Sequence, residues 1–148
     1  MIKFEYFKKE NYEDLLEMMM CFYRSEAVTE PLDKSLIERL LEDILSKKHP
    51  IWGYEAIYDG ILVGFGIVTK YYASEVAGPT LQLEDLYIRE AYRSKGIAKK
   101  YFAKVKTDFP NVKRLRLEVC SSNKKAIKLY KKLGFEVLDY IQMVDDQV

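Results

Sequence analysis

A basic segment with one glycine, RSKGIAK at residues 93–99, joins a predicted strand to a predicted helix. The strand is the apolar stretch 81–88, and the helix shows its apolar residues at helical spacing from Ile97 to Val105. A helix N-terminus presents unpaired backbone N–H groups and the positive end of the helix dipole, so this arrangement binds anions, most often phosphates. Taken alone, the segment is also compatible with an ordinary strand–loop–helix connection.

The distribution of charge along the chain favours an anionic ligand near this segment. Residues 87–134 carry 15 lysines and arginines against 3 aspartates and glutamates, although the whole chain has a net charge of only +1. Residues 1–60 are acidic, with 8 basic against 13 acidic side chains. The basic region therefore favours a polyanionic ligand, and the acidic region leaves room for a cationic one. Solvated helix faces explain most individual lysines, but not their concentration around the glycine.

Other side chains that could do chemistry are two carboxylates and two cysteines. Glu84 and Asp85 are adjacent on the predicted strand, where alternation would point them to opposite faces. Cys120 has no histidine near it in sequence, since His49 is the only one, so a cysteine nucleophile is not predicted. The cysteine spacing predicts neither a metal site nor a disulfide framework, which is typical of a reducing cytoplasm.

Length and composition predict one folded domain spanning residues 1–148. The chain is 49% hydrophobic and 32% charged, as expected of a folded protein rather than a disordered one. No apolar run approaches the roughly 20 residues that cross a bilayer, so no membrane association is predicted. The first ten residues resemble a strand rather than a signal peptide.

Hydrophobic periodicity and turn signals predict the elements that position these residues. The predicted helices run from Asn11 to about Arg24, from near Asp33 to Ser46, from Ile97 onward, and from residue 121 to Gly134. The predicted strands are 2–7, 52–58, 62–72, 81–88, 115–119 and a last β-rich segment at 135–144. The order β-α-α-β-β-β-α-β-α-β predicts an α/β (α+β) fold with an antiparallel meander followed by a parallel crossover.

Two motifs in register resemble the GCN5-related N-acetyltransferase superfamily. Arg93-x-x-Gly96-x-Ala98 is similar to its Arg/Gln-x-x-Gly-x-Gly/Ala signature, and 83–88 is similar to its fourth strand. The second motif comprises Asn123, Ala126 and Tyr130 and closes with the segment KLGF at 132–135. The resemblance covers essentially the whole chain. It implies a mixed sheet of about six to seven strands flanked by four helices.

The resemblance further implies acetyl-coenzyme A as co-substrate, with no metal. The pyrophosphate is expected over the glycine loop, and the pantetheine arm is expected beside the fourth strand, to which it adds like a further strand. The backbone N–H of Ile88 is the leading candidate to polarise the thioester carbonyl. The residues expected to contact the cofactor are Leu86, Tyr87, Ile88, Arg93, Ser94, Lys95, Gly96, Ile97, Ala98, Lys99, Asn123, Lys125, Ala126 and Tyr130.

The implied chemistry is direct attack of a substrate amine on the thioester. Glu84 matches the position of the base in polyamine-type relatives, and its alternative role is a structural ion pair. Tyr130 matches a general acid that protonates the leaving thiolate, and its alternative is a core aromatic residue. Asn123 would contact the cofactor or cap its helix.

The acceptor is predicted to be a polyamine or another small cationic amine, because the first two helices, which line the acceptor side in this family, are acidic. A protein N-terminus, a lysine side chain or an aminoglycoside remains an alternative acceptor. A non-catalytic acyl-CoA-binding domain is the alternative function, and no nucleic-acid motif is present. The chain ends shortly after 135–144, so the family's seventh strand is formed by a split of that segment, is missing, or comes from a partner in a homodimer.

Overall fold

The computed structural model, which describes all residues from Met1 to Val148, contains five strands and four α-helices in the order β-α-α-β-β-β-α-β-α. The strands are β1 (Ile2–Tyr6), β2 (Ile51–Tyr58), β3 (Ile61–Ala73), β4 (Gly78–Ile88) and β5 (Arg114–Leu117). The helices are α1 (Tyr12–Tyr23), α2 (Lys34–Ser46), α3 (Ile97–Asp108) and α4 (Lys124–Lys132). The predicted α/β fold with four helices is confirmed, and the predicted order holds as far as α4.

The strands form one mixed sheet in the order β1-β2-β3-β4-β5. The first four strands pair antiparallel, whereas β4 and β5 pair parallel and are connected through α3. The β2–β3 turn at Asp59-Gly60 has positive φ at both residues (49° and 81°), as a two-residue hairpin turn that matches strand twist requires. The predicted meander followed by a parallel crossover is therefore present.

Each face of the sheet buries its own hydrophobic core. On the α1–α2 face, the two helices pack on Phe65 and Ile67 of β3. On the α3 face, Tyr101, Phe102 and Val105 pack on the sheet, where Val68 is one of their neighbours. No helix is long and apolar enough to reach across a membrane.

The predicted strand at 135–144 is not formed, and the expected count of six to seven strands is wrong. Residues 136–148 make no backbone–backbone hydrogen bond. They carry seven exposed apolar or aromatic side chains, those of Val137, Leu138, Tyr140, Ile141, Met143, Val144 and Val148. Apolar composition marks a segment as β-prone, but a strand forms only beside a partner that pairs its N–H and C=O groups. The neighbouring edge belongs to β5, which is four residues long and offers few such groups.

Candidate active site

Strand β4 contains a β-bulge at Glu84. The residues on either side of it, Leu83 and Asp85, pair with the adjacent residues Val68 and Ile67 of β3. Residues that lie opposite each other in a sheet share a face. Val68 belongs to the α3-face core and Ile67 to the α1–α2-face core. Leu83 therefore faces α3, and Asp85 faces α1 and α2.

Glu84, the extra residue of the bulge, points to the same face as Asp85. Its carboxylate accepts a hydrogen bond from the Thr69 hydroxyl at 2.9 Å. Thr69 follows Val68 on β3, so it lies on the α1–α2 face. The expectation that Glu84 and Asp85 point to opposite faces is wrong, because side-chain alternation does not continue through a bulge.

A cleft opens between β4 and β5 immediately after this bulge. Pairing of the two strands ends at Leu83 and Leu117, so 84–88 have no strand partner on the β5 side. A bulged strand bends, which accounts for the divergence at this point. The α1–α2 loop reaches the far side of the cleft, where the Ala27 carbonyl lies 3.9 Å from the Cys120 sulfur.

Backbone groups of Leu86 and Ile88 face this cleft. The Arg89 N–H donates to Val63 of β3, and hydrogen-bonding direction alternates along an antiparallel pair. The N–H and C=O groups of Leu86 and Ile88 therefore point away from β3. The Ile88 carbonyl already accepts a hydrogen bond from Arg93 Nε at 2.8 Å. Arg93 thus braces the loop onto β4, and the two N–H groups stay available to a ligand lying along the strand.

The glycine loop leads from this strand to the N-terminus of α3. Gly96 is the N-cap residue and has φ 76°, and no side chain caps the helix. A Cβ at Gly96 would have no neighbouring atom within 4 Å, so its hydrogen faces open space. The first hydrogen bond within the helix is donated by Lys100 to Gly96. The N–H groups of Ile97, Ala98 and Lys99 thus remain for an anion.

The second predicted motif lies at the start of α4. The Asn123 side chain accepts a hydrogen bond from the Ala126 N–H at 3.2 Å, so Asn123 is the N-cap residue. This is one of its two predicted roles. Lys125 is exposed on the first turn, and Gly134, with φ 100°, follows the helix end as predicted.

Tyr130 is a residue of α4, and its side chain lies on the α3 face of the sheet. Its ring packs against those of Phe102 and Phe135, with centroids 6.0 Å away in each case. Burial raises the pKa of the phenol above its ordinary value of 10, so Tyr130 keeps its proton at neutral pH. This geometry suits a core aromatic residue, and the retained proton suits a donor.

Three carboxylates beside the cleft, those of Glu84, Asp85 and Glu118, have no basic partner. Asp85 accepts a hydrogen bond from the hydroxyl of Tyr23, and burial raises the pKa of Asp85 to about 6. Burial also raises the pKa of Glu84, and the negative charge of Glu118 adds to this. No ion pair of the structure involves Glu84, Asp85 or Glu118. The cleft is therefore bordered by uncompensated negative charge on one side and by the basic α3 loop at its end.

The contact between Tyr23 and Asp85 was not predicted from the sequence. Tyr23 is the last residue of α1 and is buried, with 5% of its surface exposed. Nothing in the sequence around Tyr23 or Asp85 connects them, because the contact depends on the bulge. No group of three or more histidine, cysteine, aspartate or glutamate side chains is arranged to hold a metal ion.

Solved structures with the same fold include a possible acetyltransferase from Clostridium difficile 630, with a TM-score of 0.83 and 18% identity. The match covers 99% of this chain and 98% of the Clostridium difficile protein. The aminoglycoside N-acetyltransferase AAC(6')-Iy, solved in complex with CoA, has a TM-score of 0.81, also at 18% identity. It covers 100% of this chain and 96% of that one.

Two curated relatives are similar in sequence over part of their length. The N-acetyltransferase YjgM of Escherichia coli is 37% identical over 94 residues, which are 62% of this chain and 54% of YjgM. The thialysine N-epsilon-acetyltransferase of Mus musculus is 39% identical over 80 residues, 53% of this chain and 46% of the mouse protein. The chain thus spans about half the length of the curated relatives it matches. The model of the acetyltransferase (GNAT) family matches residues 12–135, so the chain belongs to this family.

Proposed function

We propose that the protein transfers the acetyl group of acetyl-CoA to a primary amine. The observation that carries this proposal is a cleft that runs from the free N–H groups of Leu86 and Ile88 to the uncapped N-terminus of α3. A pantetheine arm can pair with β4 as an added strand, and a pyrophosphate can lie on the α3 N-terminus. A cleft-facing N–H is then suited to polarise the thioester carbonyl.

The reaction needs a group that takes a proton from the amine and one that returns a proton to the thiolate. In the proposed sequence the amine nitrogen attacks the thioester carbon, the C–S bond breaks, and Tyr130 donates to the departing sulfur. Glu84 is the base that the sequence indicates, and its place on the acceptor face is compatible with that role. Tyr130 on the α3 face and Glu84 on the α1–α2 face would act from the two sides of the sheet.

The acceptor that we propose is a small amine carrying a positive charge, such as a polyamine. Three carboxylates without basic partners, Glu84, Asp85 and Glu118, would attract a cation. The loop after α1, which reaches the cleft at Ala27, adds the acidic residues Glu26 and Glu30. The name of the mouse relative, a thialysine N-epsilon-acetyltransferase, fits an amine at the end of a short cationic chain.

Two further parts of the proposal concern the setting of the enzyme. Cys21 and Cys120 are unpaired, which supports the reducing cytoplasm as its location. The free outer edge of β5 and the apolar segment 136–148 support a homodimer.

A panel of amines tests the proposed function. Spermidine, lysine, thialysine, a peptide N-terminus, an aminoglycoside and a monoamine alcohol, which carries no second positive charge, are each mixed with acetyl-CoA, and release of free thiol is followed. We expect the diamines to react with kcat/KM at least about tenfold above the monoamine, and the excess to fall with added salt. Tight CoA binding without thiol release for any amine would contradict the proposal and indicate a non-catalytic acyl-CoA-binding domain.

A further inference from the structure

The partly buried Asp85 and the buried Tyr23 form a hydrogen-bonded pair at the point where α1 meets the bulged part of β4. Tyr23 ends α1, and its hydroxyl donates a hydrogen bond to the Asp85 carboxylate. Asp85 is the residue before Leu86, whose backbone N–H faces the cleft. The Asp85 carboxylate therefore lies on the α1–α2 face, where the acceptor is proposed to bind, and next to the part of β4 where the thioester is proposed to bind.

The groups that surround Asp85 do not compensate its negative charge. The ionisable groups near Asp85 are Tyr23 from α1, Glu84 on its own strand and, from the opposite face of the sheet, the Tyr101 phenol of α3. None of these is basic, and no lysine or arginine forms an ion pair with Asp85. A carboxylate that is largely removed from water, with one hydrogen bond and no positive partner, does not stabilise a fold. Such a group is instead expected where it serves function.

Glu84 is less suited than Asp85 to receive a proton from a bound amine. Glu84 is the more exposed of the two residues and Asp85 is the inner one, and each carboxylate accepts one side-chain hydrogen bond, from Thr69 and from Tyr23 respectively. A general base works best when its pKa lies near the working pH, and that of Asp85 is raised to about 6. The inner position of Asp85 on the α1–α2 face and its raised pKa therefore both suit a general base.

We propose that Asp85, oriented by Tyr23, is the catalytic base that accepts the proton of the acceptor amine. The ammonium form of the acceptor gives one proton to the Asp85 carboxylate, and the neutral amine then attacks the thioester carbon. The C–S bond breaks, the thiolate takes up the second N–H proton through Tyr130 or water, and Asp85 releases its proton to solvent. Tyr23 is a positioning residue, and Glu84 acts on Asp85 through its charge. The inference rests on the proposed function and reassigns its base.

The pH dependence of kcat/KM for one reactive amine tests this assignment in three variants. Asp85→Asn should lower kcat about 100-fold or more and remove the acidic limb of the profile. Glu84→Gln should move that limb to lower pH, because the charge of Glu84 raises the pKa of Asp85. Tyr23→Phe should move it to higher pH, because the Tyr23 hydrogen bond lowers that pKa. The ionisation of the acceptor is the same in every variant, so differences between profiles report the enzyme.

Tyr54→Phe is the matched control. Tyr54 is also buried, and its hydroxyl donates to Asp108 at 2.8 Å within the α3-face core. It should lower the thermal stability about as much as Tyr23→Phe and leave the pH profile unchanged.

Two results would overturn the inference. One is an acidic limb that disappears in Glu84→Gln and persists in Asp85→Asn. The other is a profile that Tyr23→Phe does not shift. If Asp85→Asn does not fold, the opposite shifts expected for Glu84→Gln and Tyr23→Phe still decide. An active wild-type enzyme with these results contradicts only the role of Asp85, whereas an inactive wild type contradicts the proposed function.

Discussion

Tyr130 combines two properties at the residue scale that a general acid needs. Burial keeps its phenol protonated at neutral pH, and packing against Phe102 and Phe135 fixes the direction of its ring. Neither property requires the hydroxyl group for folding, since the structure assigns it no hydrogen-bond partner. The catalytic role that we propose for Tyr130 can therefore be separated from its packing role by removing one oxygen atom.

We expect Tyr130→Phe to lower kcat by about 100-fold or more and to leave the dissociation constant of acetyl-CoA unchanged. Thiol release gives the first quantity and calorimetric titration the second. Tyr72→Phe, at a tyrosine that is 69% exposed on the far part of β3, should change neither. Equal loss of turnover and affinity, or no loss, would show that Tyr130 is a core aromatic residue only.

Single residues of the site were predictable where the chemistry is local in sequence. Asn123 caps the start of α4 and Gly134 follows its end, as predicted from these residue types. Such caps are predictable because they depend on residues only a few positions apart. The direction of Asp85 was not predictable. It depends on which residue of β3 it faces, and that register is set by packing on both sides of the sheet.

At the scale of elements, the connection from β4 to α3 is the part of the fold where we propose that the pyrophosphate binds. Ser94 and Gly96 both have positive φ, so the loop turns sharply and brings the start of α3 beside the end of β4. Arg93 holds the same loop from the other side through the Ile88 carbonyl. The uncapped N–H groups of α3 are thereby aligned with the cleft.

Gly96→Ala should weaken binding of CoA more than binding of S-acetylpantetheine, which lacks the pyrophosphate. The added methyl group occupies the open space above the α3 N-terminus, and φ 76° costs an alanine about 1 kcal/mol in stability. Gly60→Ala is the matched control. Gly60 also has positive φ and open space, but lies at the β2–β3 turn, so it should lose stability and keep CoA affinity. Equal weakening of both ligands in Gly96→Ala would contradict a pyrophosphate site.

Most elements were predictable because their signals are periodic or lie in the turns. The helices α1 to α4 and the β2–β3 hairpin agree with the predicted segments within a few residues. The bulge and the missing last strand were not. Both features depend on hydrogen-bond partners that are distant in sequence. Local composition is the same whether or not these partners are present, so it does not predict either feature.

On the scale of the whole molecule, the sheet has an unpaired edge at β5. The outer edge of β5 has no partner strand, and the apolar segment 136–148 lies without backbone pairing. The hydrogen bond from Tyr140 to Glu75 is the only side-chain hydrogen bond that joins this segment to the rest of the fold. Exposed edges and apolar segments are the features that a second copy of a chain can cover.

We expect the wild-type protein to sediment as a dimer and Ile141→Lys to sediment as a monomer. Ile141 is 91% exposed in a single copy, so a lysine there disfavours association without disturbing the core. Ile61→Lys, at an exposed residue of the β2–β3 hairpin, should remain a dimer. Analytical ultracentrifugation distinguishes these states, and a monomeric wild type would contradict the homodimer.

The bulge at Glu84 also determines how β4 tolerates changes in chain length. Leu83 and Asp85 already face opposite sides, so deletion of the residue between them would restore regular alternation without turning any neighbour to the wrong face. Such a shortened chain could keep both hydrophobic cores. It would lose the bend that separates β4 from β5, because one added residue causes that bend. In this fold the length of a strand, and not only its side chains, therefore determines whether a cleft exists.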